Sequence, residues 1–314
     1  MPLISVIICT YRREALALRA IRSVMENSFS DFEIIVVDQD PSRNLQSLIS
    51  AEFKDCSSIA YYFIDTPGLS HARNHGMEKA KGKILVFLDD DAQALPFCLE
   101  SYAQAFALQP PPSMVGGKLL AEWESAKPRW YPKSRCYLLG LYDIGESVVE
   151  FPECDLPIGA NFAILKSELL AIGGFDVSFG FNAMKTNALG GEDSLVGMKV
   201  KQRGGQILYH PRAAASHLVR KEKLFLRNYL RRHYLEGRTQ IAIQKRVALK
   251  DKAFYFGAMR WHAGSIMKKS VSLLLNVFNP STDRLECLGD YIGSISLSLG
   301  VISECLISFR SANR

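Results

Sequence analysis

Three adjacent carboxylates, Asp89, Asp90 and Asp91, directly follow an apolar run at residues 84–88. Adjacent carboxylates repel one another and are costly to bury, so they do not stabilise a fold by themselves. At the carboxyl end of a buried strand they offer the hard oxygen ligands that Mg²⁺ and Mn²⁺ prefer. Asp91 can ligate such an ion, and Asp89 can bind either the ion or ribose hydroxyls. The segment therefore predicts a metal that holds a phosphate; the alternative is a solvated acidic turn.

Other side chains match the parts of a sugar nucleotide, which carries a base, a ribose and a diphosphate. Tyr11, next to Thr10, offers an aromatic face on which a base can stack. Asp38 can accept a hydrogen bond from the imino N–H of a uracil or guanine, or it is only a turn carboxylate. Arg73 can pair with a carboxylate or a phosphate, or it is only a surface arginine. These residues, with Asp90, form the predicted donor-binding set.

A second acidic pair, Glu192-Asp193, follows two glycines at a predicted helix start. Glycine lets a backbone approach a ligand closely. Asp193 is the candidate general base, which would take a proton from an acceptor hydroxyl as that hydroxyl attacks an anomeric carbon. Acidic residues also favour helix N-termini, so simple capping is an equal alternative. His217 is a candidate third metal or phosphate contact, although a lone histidine is more often structural.

The elements that position these residues alternate between strand and helix over the first 90 residues. Buried strands read as short apolar runs, and helices as apolar residues at helical spacing. This alternation of strands and helices predicts a largely parallel sheet with helices on both faces. In such sheets, ligands bind at the carboxyl ends of the strands. Thr10-Tyr11, Asp38 and Asp89 to Asp91 all fall at such ends. The predicted strands are 4–9, 33–37, 59–64 and 84–88, and the predicted helices are 14–26, 45–53 and 70–81.

The rest of the first two-thirds of the chain is less regular. Residues 123–157, rich in Trp, Tyr and Pro, are interpreted as a loop-rich wall of a binding cleft. Residues 179–191 form a long connection of the kind that often serves as an active-site lid. Helices are predicted at 96–109, 169–174 and 192–203, and strands at 114–120, 162–165 and 206–209.

Composition places the chain among globular proteins, with 314 residues, 48% hydrophobic and 22% charged. Seven scattered cysteines without a CxxC motif fit reduced thiols in the cytosol. The first residues lack the cationic lead of a signal peptide. The sequence contains no run of about 18 uncharged apolar residues, so it does not predict a helix that spans a membrane.

The net charge of +6 is unevenly distributed. Residues 220–252 contain 11 lysines and arginines against three acidic residues, a local charge of +8, so the other residues sum to −2. Such a segment suggests an anionic partner, with a membrane surface, a polyanionic substrate and nucleic acid as candidates and a solvated helix face as the alternative.

Residues 224–243 are predicted to form a basic amphipathic helix. Residues 270–309 contain two apolar stretches, with breaks predicted at Asn279-Pro280 and at Asp283-Arg284. The last stretch includes Asp290 and Glu304, each costing roughly 2.5–3.5 kcal/mol near a bilayer centre. Helices lying on a membrane surface are therefore preferred over spanning ones; packing against the sheet or a second subunit is the alternative.

Taken together, these residues resemble the family 2 glycosyltransferases, inverting enzymes of the GT-A fold. The matching segments run in the family's order over residues 3 to about 217. They are Ser5 to Arg13, Val36-Val37-Asp38, Gly68 to Gly76, Phe87 to Asp91, Gly159 to Phe162, Gly173 to Asp176 and Gly191-Glu192-Asp193.

The resemblance implies an α/β fold of GT-A type, with a mostly parallel central sheet, helices on both faces and a Rossmann-like nucleotide-binding half. The expected domains are a GT-A domain at 1–217, divided into a donor half (1–112) and an acceptor half (113–217), and a basic helical extension at 218–314. The extension is expected to associate with a membrane surface, with packing against the sheet or a second subunit as the alternative.

By the same resemblance, Tyr11 and Asp38 would hold the base of a UDP-, GDP- or dTDP-sugar and Arg73 would contact the donor. Asp89 and Asp91 would form the site for Mn²⁺ or Mg²⁺. Asp193 would be the base, and His217 looks like the late histidine that some members use near the metal.

The expected acceptor is a glycan or lipid-linked hydroxyl in polysaccharide or glycolipid synthesis. The expected location is cytoplasmic or peripheral on the inner face of the plasma membrane, with anionic lipid contacted through residues 220–252 and no nucleic acid bound.

Two departures from the family pattern favour transfer of a single sugar. The acceptor signature of processive members, Gln-x-x-Arg-Trp, is reduced to the fragment Met259-Arg260-Trp261, and several spanning helices are lacking. The turn Asp38-Gln39-Asp40-Pro41 also departs from the usual one, which leaves the role of Asp40 open.

Two other classes of function stay open at this point. Metal-dependent phosphoryl hydrolases commonly place a nucleophilic Asp after the first strand, where this chain has Thr10-Tyr11. A membrane-associated binding protein could retain the fold without turnover.

Overall fold

The computed structural model describes residues 1–54, 56–182, 184, 188–248, 251–277 and 283–311. The chain divides into two compact units. The first contains Met1–Glu122, Gly140–Ala188 and Glu192–Leu218, and the second contains Trp123–Leu139, Leu189–Gly191 and Val219–Arg314. The domain limits predicted at residues 217 and 218 stay a prediction.

The first unit is built on a nine-stranded sheet. Its strands are β1 (Ile4–Thr10), β2 (Phe32–Asp38), β3 (Ile59–Phe63), β4 (Ile84–Asp89), β5 (Ala92–Ala94), β6 (Met114–Trp123), β7 (Val149–Glu150), β8 (Asn161–Leu165) and β9 (Ile207–Val219). Its helices are α1 (Glu14–Met25), α2 (Asn44–Glu52), α3 (Leu69–Lys79), α4 (Cys98–Phe106), α5 (Lys166–Ala171) and α6 (Glu192–Gln202).

The strand order is β3-β2-β1-β4-β8-β6-β9-β5, with β7 paired to β9. The first four strands are parallel neighbours, while β8 is antiparallel to β4 and β6. Strands β5 and β7 are antiparallel to β9. The predicted β-α-β-α-β-α-β order of the first 90 residues is confirmed, as is the fold class.

Alternating residues of the central strands fill two apolar layers, one on each face of the sheet. In β1, Ile4, Val6 and Ile8 belong to one buried cluster and Ile7 to the other. Both faces of the parallel strands are therefore covered, which is why these strands read as continuous apolar runs rather than alternating ones.

Strand β9 is much longer than the predicted strand at 206–209. Polar residues at His210, Arg212 and His217 interrupt the apolar run that marks a buried strand, so the sequence signal stops early. Pairing with β5 and β7 supplies the backbone hydrogen bonds that hold the extension in the sheet. His217 consequently lies within a strand.

The second unit is mainly helical. Its long helices are α7 (Leu226–Val247), α8 (Lys252–Val277) and α9 (Arg284–Ser311), with 3-10 turns at Lys133–Leu139 and Lys221–Leu224. The predicted break at Asn279-Pro280 lies outside the described residues.

Helix α9 packs against both α7 and α8. A Cβ added to Gly237 would come within 2.0 Å of the Leu297 carbonyl oxygen, so the backbones of α7 and α9 approach closely there. Within the described residues, one helix, Arg284–Phe309, is long and apolar enough to cross a membrane by length and composition alone. Of its most apolar 18-residue window, 44% is buried inside the protein.

Candidate active site

Parallel pairing brings the predicted site residues to one edge of the sheet. Strand β1 lies between β2 and β4, with Thr10 opposite Asp38 and Cys9 opposite Asp89. Because the carboxyl ends of parallel strands meet at the same edge, the residues after these strands come close together in space. The sequence expectation that they share one edge is therefore confirmed for these strands.

A candidate metal site is formed by Asp89, Asp91 and His217. Each offers one ligand atom, and these atoms all lie within 4.8 Å of one another. Pairing of β5 with β9 places His217 there, and the Leu218 amide donates to the Asp91 carbonyl oxygen at 2.9 Å.

The surroundings of the His217 side chain suit a residue that ligates a cation. Its Nε2 lies 3.2 Å from Asp91 Oδ1, and its buried Nδ1 has no hydrogen-bond partner among the described residues. A Cβ at Gly140 would come within 2.6 Å of the ring, so glycine leaves room for the imidazole. The two carboxylates supply the oxygen ligands that suit Mn²⁺ or Mg²⁺, and the imidazole offers a third ligand atom. The role of all three as ligands stays a prediction.

The middle carboxylate, Asp90, faces the protein. Thr10 Oγ1 donates to Asp90 Oδ2 at 2.8 Å, and Arg13 Nη1 donates to Asp90 Oδ1 at 2.9 Å. Arg13 also lies 3.5 Å from Asp91 Oδ2. Burial raises the pKa of Asp90 to about 6, although Arg13 lowers it in part. A hydrogen bond thus joins Thr10 to Asp90. The contact of each residue with the sugar-nucleotide donor stays a prediction.

Arg73 is fully enclosed rather than a surface arginine, with 2% of its surface exposed. Its guanidinium donates to Glu192 Oε1 at 2.8 Å, to Asp89 Oδ1 at 3.0 Å and to the Gly159 carbonyl oxygen at 2.8 Å. It also lies 5.5–5.9 Å from the centres of three aromatic rings, those of Phe87, Phe162 and Phe175.

These contacts make Arg73 a bridge inside the protein. Burial lowers the pKa of Arg73, but the negative charges of Glu192 and Asp89 together raise it by a larger amount. The net shift of the pKa is therefore upward, and the guanidinium stays charged. Burial and the neighbouring Asp193 raise the pKa of Glu192 to about 7, against the opposing effect of Arg73. The predicted contact of Arg73 with the donor stays a prediction.

Asp193 is connected to the candidate metal site through this bridge. Its Oδ2 accepts a hydrogen bond from the Gly159 amide at 2.5 Å, and its Oδ1 accepts one from the Ser194 amide at 2.7 Å. Gly159 thus donates to Asp193 and accepts from Arg73, which in turn donates to Asp89. The two predicted acidic sites, at residues 89–91 and 192–193, are therefore joined by hydrogen bonds. The role of Asp193 as base stays a prediction.

The predicted base-binding residues lie at the ends of β1 and β2. Asp38 is buried, and its oxygens accept hydrogen bonds from the Asp40 amide and the Tyr61 hydroxyl, both at 2.9 Å. Burial raises the pKa of Asp38. Next to the Tyr11 ring, Arg12 has a φ of 54°, a left-handed conformation that is uncommon outside glycine and often marks functional sites.

Four residues of the site were missed by sequence reasoning. Arg13, Gly159 and Glu192 stand in the matching family segments and Tyr61 stands in the predicted third strand, yet their contacts depend on the fold. Glu192 and Arg73 are 119 residues apart in sequence, so no local pattern indicates that they pair.

Replacing Arg73 by alanine should destabilise the protein by about 3–5 kcal/mol, because it leaves the buried Glu192 and the partly exposed Asp89 without their cation. The free energy of unfolding, measured by urea denaturation, tests this. Arg19→Ala is the matched control, since Arg19 pairs with Glu122 at 2.7 Å with both side chains 37% exposed. That variant should lose no more than about 1 kcal/mol. Equal losses in the two variants would contradict the bridge.

Comparison with known proteins agrees with this architecture. Solved structures similar to this chain include a mannosyltransferase from Pyrobaculum calidifontis, with 15% identity and a TM-score of 0.53 over 99% of this chain and 76% of that one. They also include GalNAc-T7, with 16% identity and a TM-score of 0.55 over 84% of this chain and 51% of that one. At these identities the likeness shows the GT-A fold alone.

Proteins of similar sequence include named glycosyltransferases. Glucosyl-dolichyl phosphate glucuronosyltransferase of Haloferax volcanii is 24% identical over 220 residues, which cover 68% of each chain. GalNAc(5)-diNAcBac-PP-undecaprenol beta-1,3-glucosyltransferase of Campylobacter jejuni is 35% identical over 106 residues. That match spans 33% of this chain and only 34% of the relative.

The sequence pattern of glycosyl transferase family 2 matches residues 5–170, more than half of the chain. The matched region contains Asp38, Arg73 and the three carboxylates of residues 89–91 at the end of β4. Together with the GT-A architecture, this match shows that the chain is a glycosyltransferase of family 2.

Proposed function

We propose that this glycosyltransferase is metal-dependent and inverting, and that it moves one sugar from a nucleoside-diphosphate sugar to a hydroxyl of a glycan or lipid-linked acceptor. The observation that carries the proposal is the hydrogen-bonded connection from Asp89 through Arg73 and Gly159 to Asp193. A leaving-group site and a candidate base held by one network suit a single displacement.

Donor binding is assigned to the strand ends. Asp38 would accept from the base, the Tyr11 ring would stack on it, and Asp89 would contact the ribose or the metal. Arg73 would act on the donor chiefly by holding Asp89 in place. The Tyr61 hydroxyl supports this assignment because it fixes one oxygen of Asp38. UDP-, GDP- and dTDP-sugars are all candidates. The structures of GalNAc-T7 and the Pyrobaculum enzyme contain UDP and GDP-Man, respectively, each with Mn²⁺.

Asp89, Asp91 and His217 would hold the divalent ion. When bound, Mn²⁺ or Mg²⁺ would neutralise the charge of the departing diphosphate. Arg13 keeps Asp90 turned towards the protein, which leaves the flanking carboxylates for the ion and the donor.

Asp193 would act on the acceptor. One of its carboxylate oxygens would accept the proton of the attacking hydroxyl, while the Gly159 and Ser194 amides keep the group in a fixed orientation. A base on the opposite side of the anomeric carbon from the leaving group gives inversion, because bond formation and bond breaking occur in one step.

Lipid-linked acceptors are favoured by the names of the two sequence relatives, which refer to a dolichyl phosphate and to an undecaprenol diphosphate. Such an acceptor lies at a membrane, so we place the enzyme at the cytoplasmic face, in the synthesis of cell-surface polysaccharide or glycolipid. The basic segment 220–252 supports a location near anionic lipid.

A thermal-shift panel of UDP-, GDP- and dTDP-sugars, each with Mn²⁺ or with EDTA, tests the proposal. A ligand at about 100 times its Kd adds about 2.7 kcal/mol of stability. We therefore expect one donor class to raise Tm by roughly 4–7 °C in Mn²⁺ and none to do so in EDTA. Release of free phosphate without a glycoside product would instead indicate phosphoryl hydrolysis, and binding without any product would indicate a non-catalytic protein.

A further inference from the structure

Helix α8 has two unlike faces. One face packs on α9, where Tyr255 is buried, His262 Nδ1 lies 3.1 Å from the Ser298 hydroxyl and Lys269 Nζ lies 2.5 Å from the Ser294 hydroxyl. These contacts fix the rotation of α8, so the residues on the opposite face are turned away from α9.

The opposite face carries a stripe of exposed residues at positions 256, 260, 263, 267 and 271. Spacings of three and four residues place them along one side of a helix. Phe256 is 56% exposed and Met267 is 72% exposed, and Trp261, at the flank, is 67% exposed. Large apolar side chains grouped on one face mark an interaction surface, because isolated ones are ordinary but clustered ones are not.

The charge of α8 indicates what this surface meets. Residues 252–277 include Lys252, Arg260, Lys268 and Lys269 and no acidic residue. Arg260 and Lys268 lie on the exposed side. Aromatic and aliphatic side chains beside long cationic ones are the pattern of a helix lying in the boundary between headgroups and acyl chains.

A second copy of the chain does not fit this face as well. A symmetric dimer brings the same patch from each partner together, so two surfaces that carry Arg260 and Lys268 and no acidic residue would meet. Anionic headgroups supply the opposite charge along the whole stripe.

The neighbouring helices argue for the surface of a bilayer rather than its interior. Helix α7 carries six lysines and arginines and one glutamate, and it packs along α9 through an ion pair between Arg238 and Glu304 at 2.8 Å. A bilayer around α9 would have to admit these charges, each of which is costly at its centre.

We propose that the exposed face of α8, defined by Phe256, Arg260, Met267 and Val271 with Trp261 and Lys268 at its flank, docks on an anionic bilayer surface. This adds a second element to the predicted contact at residues 220–252 and places the apolar part of the contact on α8. The proposal depends on the proposed function only in that a lipid-linked acceptor gives the docking a purpose.

Cosedimentation of the full chain with vesicles tests the docking, using phosphatidylcholine alone or with about 30% phosphatidylglycerol. We expect binding to the anionic vesicles and much weaker binding to the neutral ones. In R260E/K268E, loss of two cations at about 1 kcal/mol each should lower the partition coefficient by roughly 30-fold or more. F256S/M267S should also lower it, because the apolar anchors are removed.

The matched control is K54E/K83E, which makes the same change in net charge at exposed lysines of the first unit. It should bind vesicles like the unaltered chain. Equal losses in K54E/K83E and R260E/K268E would overturn the proposal, as would wild-type binding by R260E/K268E or F256S/M267S.

Two more outcomes would overturn it: retention of the chain in the membrane after alkaline carbonate extraction, which indicates a spanning helix, and a dimer that F256S/M267S converts to a monomer. Calorimetric donor binding in Mn²⁺ without vesicles is a separate readout. It should be unchanged in these variants, so failure of the docking and failure of the proposed function give different results.

Discussion

Asp193→Asn should abolish sugar transfer while donor affinity stays within about threefold of the unaltered enzyme. The amide cannot take the proton of an acceptor hydroxyl, and loss of a general base typically costs roughly 10²–10⁴ in rate. The substitution keeps the size of the side chain and can keep one of the two amide contacts, from Gly159 or Ser194. The other contact becomes a meeting of two donors, which is a local cost.

The measurement is a pair of titrations: donor binding by calorimetry in Mn²⁺, and transfer to acceptor by product formation. Asp31→Asn is the matched control, because it makes the same chemical change at an exposed residue just before β2, at the opposite end of the sheet from the site. It should retain full transfer. If Asp193→Asn keeps more than about a tenth of normal transfer, the assignment of the base is wrong.

The parallel half of the sheet could be predicted because its physics is local. Strands buried on both faces read as short apolar runs, and helical spacing marks the segments between them. The rule that parallel strands end at one edge then brings Thr10, Asp38 and Asp89 together without any knowledge of contacts. The family segments added Asp193, whose position relative to β4 no periodicity indicates.

The network that supports these residues could not be predicted, because it is made of long-range pairs. Arg73 meets Gly159 and Glu192 across 86 and 119 residues, and only the finished topology decides which carboxylate an arginine reaches. Asp90 shows the same limit: its sequence position suggests a ligand-facing group, but Thr10 and Arg13 occupy both of its oxygens.

Helix α8 was only partly predicted, for a related reason. A one-sided apolar pattern is the strongest sequence signal for a helix, but α8 has apolar residues on both faces, with Tyr255 buried and Phe256 exposed. The apolar residues on the outer face obscure the helical periodicity of α8, and the same residues make that face a candidate lipid contact.

Asp91→Ala should abolish metal-dependent donor binding. It removes one of the three candidate ligands, and even partners that only support a ligand cost 10–100-fold in metal affinity when lost, so we expect at least a 100-fold loss here. Folding should be preserved, because Arg13 keeps its 2.9 Å contact with Asp90 and the repulsion among three adjacent carboxylates decreases.

Two readouts separate loss of the metal from loss of the fold. Mn²⁺ affinity without donor, followed by electron paramagnetic resonance, should fall, while the urea midpoint should stay the same or rise. Glu146→Ala is the matched control, since Glu146 is an exposed carboxylate of the same unit that pairs with Lys118. It should bind Mn²⁺ and donor like the unaltered enzyme. Unchanged Mn²⁺-linked donor binding in Asp91→Ala would refute the metal site, because Asp89 and His217 would then be too few ligands to hold the diphosphate through an ion.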